Sequence, residues 1–216
     1  MRRARGEPCA YVTGRREFYG RDFAVGPGVL VPRPETELLV DVARERLAGR
    51  EAPRVLDVGT GSGCLAVTLA LEVASARVVA TELSSEALAF ARRNAEALGA
   101  AVEFHHGDGV VPVRGQRFDL VLSNPPYVAP EDREALPPEV REHEPGEALF
   151  APAGDPDHWV RRLVGEAELL ADGGTLLVEL GFDQAQRVSS WLTERGERFR
   201  LHEDLAGIPR VLEVSR

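Results

Sequence analysis

The chain has little cysteine, no lysine and no long apolar run, and each shortage removes a class of function. Two cysteines, Cys9 and Cys64, are too few for a disulfide framework and fit a reducing, cytoplasmic setting. The five histidines are scattered, apart from the adjacent His105 and His106, whose side chains point to opposite faces of a strand, so no metal site is spelled out. No apolar stretch approaches the roughly 20 residues of a membrane span. The Arg-rich start lacks the apolar segment of a secretory signal. All 26 basic residues are arginine, so the lysine that a P-loop sets beside phosphate is missing. Acidic residues number 35, and a formal net charge of −9 argues against general affinity for nucleic-acid phosphates. Only the amino end, with Arg2, Arg3, Arg5, Arg15 and Arg16, is locally basic. The G-x-S-x-G elbow of a serine hydrolase is absent too; Gly61-Ser62-Gly63 is too compact.

What is present is a 44% apolar chain, enough for a buried core, patterned as alternating strands and helices. Two short strand-like runs between 17 and 31 predict a small hairpin, split by Gly20-Arg21-Asp22 and Gly26-Pro27-Gly28. Apolar spacing predicts a helix over 35–47. From Arg54 onward, strands over 54–58, 76–81, 102–105 and 118–123 alternate with helical patterns over 63–71, 84–98 and 159–170. Ser84-Ser85-Glu86 is a good amino-cap for the second of these helices. A strand over 175–180, a helix over 183–192 and strands near 198–202 and 210–214 would complete a mostly parallel seven-stranded sheet covered on both faces. Between 128 and 158 no period is evident, and the stretch is rich in Pro, Glu and Asp. Directly after a motif-bearing strand, it is either a substrate-docking flap or a solvated insertion with some helix over 131–136.

Two motifs carry chemistry. Val55-Leu56-Asp57-Val58 runs into Gly59-Thr60-Gly61-Ser62-Gly63 and then a helix, the first turn of a nucleotide-binding βαβ unit. The spacing is G-x-G-x-G; Cys64 stands where a dinucleotide fingerprint would have its third glycine. Cys64 reads either as a reactive thiol at a helix start or as a small packing residue. Asp57 beside the turn suits an ammonium or sulfonium ligand better than a pyrophosphate. Glu82 ends the next strand roughly 20 residues on, the distance at which an acid accepts from ribose hydroxyls. Asp108, in Gly107-Asp108-Gly109 after the third strand, is placed to receive an adenine amino group.

The second motif is Asn124-Pro125-Pro126-Tyr127, after the strand Phe118-Asp119-Leu120-Val121-Leu122-Ser123. The Asn side-chain oxygen and the Pro125 carbonyl form a rigid pair of acceptors, since Pro has no N–H. Two acceptors facing one planar NH2 hold both its hydrogens and aim its lone pair at an electrophile. Tyr127 offers a flat apolar face to a planar amide or base. Asp119 reads as structural.

Together, Gly59 to Gly63, Glu82, Gly107-Asp108 and Asn124 to Tyr127 resemble a class I S-adenosylmethionine-dependent methyltransferase. Ala10-Tyr11-Val12-Thr13-Gly14, Glu17-Phe18-Tyr19 and Leu30-Val31-Pro32-Arg33-Pro34-Glu35-Thr36-Glu37 narrow the likeness. So do Glu144-Pro145, Ala148-Leu149 and Glu179-Leu180-Gly181. The whole is similar to the HemK/PrmC family, protein-(glutamine-N5) methyltransferases of peptide chain release factors. The resemblance implies an α/β, Rossmann-like fold with a seven-stranded, mostly parallel sheet and a small N-terminal β-hairpin. It implies S-adenosyl-L-methionine as cofactor, S-adenosyl-L-homocysteine as product, and a release-factor glutamine in a Gly-Gly-Gln loop as methyl acceptor. Gly59, Thr60, Gly61, Ser62, Gly63, Glu82, Asp108, Gly109 and Asn124 fall to the cofactor. Asn124, Pro125, Pro126 and Tyr127 fall to the substrate amide, with Asn124, Pro125 and Tyr127 as the catalytic set. The Pro32 to Glu37 segment either walls the methionine end or starts and caps the following helix. Family members usually carry a helical recognition domain before the segment that begins here at Gly6. The expected division is therefore 1–50 as hairpin and helix without that domain, and 51–216 as the methyltransferase domain. A ribosomal-protein glutamine, or an exocyclic amino group of adenine or guanine in nucleic acid, remains an alternative acceptor, because the N-P-P-Y motif alone fixes only the chemistry. No membrane partner is expected.

Overall fold

The computed structural model describes residues 3–216. Helix α1 (Cys9–Thr13) leads into an antiparallel hairpin of β1 (Arg15–Phe18) and β2 (Arg21–Ala24). Its turn is Tyr19-Gly20, both at positive φ, 51° and 73°, which matches the twist of a two-residue hairpin. Arg21 and Asp22, expected to separate the strands, therefore lie within β2. Phe18 and Phe23 face inward and meet edge to face, ring centroids 6.1 Å apart. A single 3₁₀ turn (Pro34–Thr36) precedes α2 (Glu37–Leu47).

The main sheet follows. In chain order come β3 (Arg54–Val58), α3 (Cys64–Glu72), β4 (Arg77–Glu82), α4 (Ser85–Leu98), β5 (Val102–His106) and β6 (Phe118–Ser123). Then come α5 (Pro138–His143), α6 (Gly146–Leu149), α7 (His158–Gly165), β7 (Leu170–Glu179), α8 (Ala185–Glu194), β8 (Phe199–Glu203) and β9 (Pro209–Ser215). The spatial order is β5-β4-β3-β6-β7-β9-β8, and β9 runs antiparallel to both its neighbours. Chain order reverses between β3 and β6, so a crevice opens at their carboxyl ends, where α/β sheets bind ligands.

The central strands are buried over most of their length because both faces of the sheet are covered. Phe18, Phe23, Leu39, Leu47, Val55, Leu120 and Leu177 share one core, so the hairpin and α2 pack directly on the sheet. Val58, Val121, Val160, Leu163, Val188 and Leu192 form the core on the other face, under α7 and α8. The Ser84 hydroxyl caps α4 by accepting from Ala87 N. Asn94 of α4 completes the free edge of β2: its side-chain oxygen accepts from Ala24 N, while Nδ2 donates to Ala24 O and Ser62 O.

Two boundaries differ from sequence expectation for one reason. The helix expected over 159–170 stops at Gly165, because Leu170 is claimed by β7, where it pairs with Phe118. β7 consequently starts five residues before Thr175, through a register shift that needs Gly174. A Cβ there would lie 2.8 Å from Ala171 O.

The 128–158 stretch is neither structureless nor merely solvated. Val128 N donates to Leu149 O, and Ala151 N donates to Val128 O, closing it at both ends. Between them, Glu144 is buried: one carboxylate oxygen accepts from Val31 N at 3.0 Å, the other from Arg33 Nη2 at 2.6 Å. This clamp fastens the stretch to the segment before α2. Removing the acceptor in Glu144→Ala strands two donors, at a cost of about 2 kcal/mol. The expected result is a lower urea midpoint at unchanged m-value; an unmoved midpoint would show that the clamp carries no stability.

Candidate functional site

A single continuous cleft lies at the carboxyl ends of β3, β4 and β6. Its floor is the loop from Gly59 to Ser62, its sides are Glu82, Leu83, Asp108 and Gly109, and Ser123, Asn124, Pro125 and Pro126 close one end. Val29, Leu30, Pro32, Arg33 and Thr36 come from the segment before α2, and Trp159 from α7.

Asp57 organises the floor. It is fully buried at the end of β3, where its Oδ2 accepts from Thr60 Oγ1 at 2.6 Å and from Ala66 N at 3.2 Å. Strand end, loop and first turn of α3 are thereby tied to one carboxylate. It does not line the cleft, so it acts on the loop and not on a ligand, unlike the sequence expectation. Burial pushes its carboxyl up to about 7. Gly59 and Gly61 hold φ of 73° and 57°. A Cβ on Gly59 would meet nothing within 4 Å, and one on Gly61 only Val29 at 4.0 Å. Both therefore face the open cleft, as close backbone approach to a ligand requires.

Gly63 departs from the expectation of cofactor contact. Its N–H is spent on Thr60 O, and a Cβ would sit 3.1 Å from Ala91 of α4. It is a helix-packing glycine, lying outside the cleft lining. Cys64 borders the cleft, but burial raises its thiol to about 12, so it packs instead of reacting.

Glu82 turns both carboxylate oxygens toward backbone, Oε2 accepting from Gly61 N and Oε1 from Ser84 N, each at 2.8 Å. Each oxygen keeps a second lone pair for the cleft. Asp108 is paired with Arg162 through two bonds of 2.9 and 2.8 Å, and those hydrogen bonds hold its carboxyl below the usual range. Arg162 in turn lies 4.9 Å over the Trp159 ring. The sequence expectation gave Asp108 to a ligand amino group; its strongest partner here is Arg162.

Asn124 occupies the far end. Its Nδ2 donates to Thr36 Oγ1 at 3.0 Å. Its Oδ1 has no partner among the described residues, and the side chain borders the cleft. Ser123, just before it, donates to Val58 O at 2.7 Å and locks β6 to β3 at the point where they diverge. Pro125 and Pro126 line the cleft beside Asn124, whereas Tyr127 does not. The Tyr127 ring packs on Gly181, 3.0 Å from where a Cβ would be, and desolvation raises its hydroxyl to about 12. Asp119, as the sequence implies, is structural: it accepts from Arg50 Nη1 and Arg54 N.

Three contributors were not singled out individually from sequence: Thr36, Glu179 and Trp159. Thr36 and Glu179 belong to segments that carry the family likeness, but nothing in their spacing tells that both are buried. Glu179 is 2% exposed and has an Oε2 with no partner among the described residues. Burial pushes its carboxyl up to about 7. The folded chain thus keeps a proton that the unfolded chain releases near its ordinary value. Stability from this group is full at acid pH and is lost as pH rises toward about 7. Glu179→Gln should therefore gain on the wild type progressively between pH 4.5 and 7.5, read from urea midpoints across that range. A pH-independent difference would show that the carboxyl does not titrate in the folded state.

The lining fits S-adenosylmethionine: glycines open to the cleft, a strand-end acid for ribose hydroxyls, and apolar Val29, Leu83 and Trp159 for a base. Residues 34–137 match the family model described as Methyltransferase small domain. The chain is 46% identical over 213 residues to a release factor glutamine methyltransferase of Geobacter sulfurreducens, covering 98% of this chain and 74% of that protein. It is 47% identical to one of Neisseria gonorrhoeae, covering 98% and 77%. Among solved structures it is similar to a release factor-specific protein-(glutamine-N5) methyltransferase of Alicyclobacillus acidocaldarius (32% identity, TM-score 0.54, 90% of this chain and 99% of that one). A T. thermophilus 16S rRNA N2 methyltransferase, solved with AdoMet and guanosine, shares the fold at 21% identity (TM-score 0.64, 94% of this chain and 49% of that one). The chain belongs to the release factor glutamine methyltransferase family, S-adenosylmethionine-dependent enzymes of the class I fold.

Proposed function

We propose that this chain methylates the side-chain amide nitrogen of a glutamine in a peptide chain release factor, at its Gly-Gly-Gln loop. The observation that carries this reading is the acceptor end of Asn124, directed at the cleft next to Pro125, whose carbonyl has no N–H companion. The names of the relatives support the protein acceptor. The net charge of −9 disfavours a nucleic-acid backbone as partner. Among the described residues no helix is long and apolar enough to cross a membrane, and a release-factor substrate sets the reaction in the cytoplasm. In this reading 51–216 is the catalytic domain, and 1–50 lays the hairpin and α2 against it.

An amide nitrogen is a poor nucleophile because its lone pair is delocalised into the carbonyl. Asn124 Oδ1 and the Pro125 carbonyl hold the two amide hydrogens, which turns the lone pair toward the glycine-floored end of the cleft. Those acceptors strengthen as positive charge develops on nitrogen, a preorganised electrostatic contribution. Fixing the acceptor in this pose contributes up to roughly 7–11 kcal/mol through positioning. When bound, S-adenosylmethionine supplies a sulfonium methyl group: the nitrogen lone pair forms the N–CH3 bond, and the broken S–CH3 pair returns to sulfur in S-adenosylhomocysteine. The nitrogen then sheds one proton to solvent, so no side chain is needed as a base beforehand. Tyr127 packs on Gly181, outside the cleft lining. Gly59, Thr60, Gly61, Ser62, Glu82 and Gly109 hold the cofactor, with Asp108 acting through Arg162 and Trp159.

Labelled S-adenosylmethionine, offered with an intact release factor, a ribosomal protein or nucleic acid in separate reactions, tests the assignment. Label is expected on the release factor, at a glutamine side-chain nitrogen by mass spectrometry. Label confined to another acceptor overturns it. Asn124→Ala is expected to lower turnover at least about 100-fold; near-normal turnover would contradict the mechanism.

A further inference from the structure

We propose that Arg33 is the binding residue for the carboxylate at the methionine end of S-adenosylmethionine. The inference rests on that cofactor filling the cleft, and on Asn124 marking the point of methyl transfer, but not on which molecule accepts the methyl group. S-adenosylmethionine carries an α-carboxylate besides its ammonium and sulfonium, so one part of its site has to receive an anion. Among the described residues that border the cleft, Arg33 is the only basic one, whereas Glu82, Asp108 and Glu147 are acidic. A carboxylate is repelled by like charge along those sides. Arg33 is the one place where the lining attracts it.

Position agrees with charge. Glu82 is the strand-end acid for the ribose, and Asn124 stands where the methyl group is handed over. The amino-acid chain leaves from the same sulfur, so it belongs at the Asn124 end. Arg33 borders the cleft there, three residues before Thr36, whose Oγ1 accepts from Asn124 Nδ2 at 3.0 Å. The guanidinium is also held in advance. Its Nη2 donates to Glu144 Oε1 at 2.6 Å, and the other oxygen of that buried carboxylate is taken by Val31 N. This bond occupies one nitrogen of the fork. Nε and Nη1 have no partner among the described residues, and the side chain stays 32% exposed. A planar fork, fixed on one side and with donors to spare on the other, matches a carboxylate in both geometry and charge.

Calorimetric Kd values for S-adenosylmethionine and decarboxylated S-adenosylmethionine, measured on the full chain with no acceptor present, test this. The two ligands differ only by the carboxylate. Wild type is expected to prefer S-adenosylmethionine roughly 10- to 100-fold, the scale of hydrogen bonds to a charged group. Arg33→Met is expected to abolish the preference, leaving both Kd values within about 3-fold of the wild-type value for the decarboxylated ligand, as a double-mutant cycle between side chain and ligand requires. Arg33→Gln keeps a donor for Glu144 and removes the charge, so it gives the same reading where methionine unsettles the clamp. Three results overturn the proposal: a wild type that does not discriminate, a variant that keeps the wild-type preference, or a variant that weakens both ligands equally. The last would make Arg33 a structural clamp alone. Because no acceptor is present, none of these results bears on the release-factor assignment, which stands or falls with the label-transfer experiment.

Discussion

Everything at this site hangs on the buried carboxylate at the end of β3. Asp57 joins strand, loop and helix by accepting from Thr60 and from the first turn of α3. Without it, the glycines at 59 and 61 would have freedom but no reason to hold one shape. Their openness to a ligand and their rigidity come from different residues. Gly63 adds a third element by letting α3 and α4 approach, which keeps Asn94 in reach of both Ser62 and β2. The loop is thus fixed from below by the hydrogen bonds of Asp57 and from behind by packing, and only its upper surface is left for a ligand.

The far end of the cleft is built on a different principle. Ser123 locks β6 to β3 at the divergence point, and the two prolines after Asn124 remove backbone freedom where the acceptor must stand still. Polar groups there are arranged by direction and not by charge. In the proposed reading the cleft pairs a glycine floor open to S-adenosylmethionine with a wall of acceptors for an NH2 group.

The alternating pattern from Arg54 onward is readable because the central strands are short, mainly apolar runs and the helices show their apolar period. The strand 118–123 and the cap at Ser84 fall where the sequence puts them. Misplaced boundaries share one origin, competition from tertiary pairing. Leu170 suits a helix by pattern but is taken by Phe118, and Arg21 and Asp22 look like turn residues but the turn closes on Tyr19-Gly20. At the site, the glycines, Glu82 and Asn124 announce themselves through spacing. Gly63 reads as a third ligand glycine until Ala91, 28 positions away, occupies the space above it. The 128–158 stretch shows no period because long-range bonds, Glu144 to Val31 and Arg33 above all, hold its short turns. Thr36 is legible as part of a segment, but its hydrogen bond with Asn124 spans 88 positions, which no local pattern encodes.

Arg33 and Thr36 sit three residues apart on the same turn, one donating to Glu144 and the other accepting from Asn124. Whatever pulls on the 128–158 stretch through Glu144 reaches the Asn124 side chain by way of this short strap. Damage to a distant covering loop would then masquerade as a defect in bond-making, and kinetic surveys of that loop have to be interpreted with the mechanical linkage in mind.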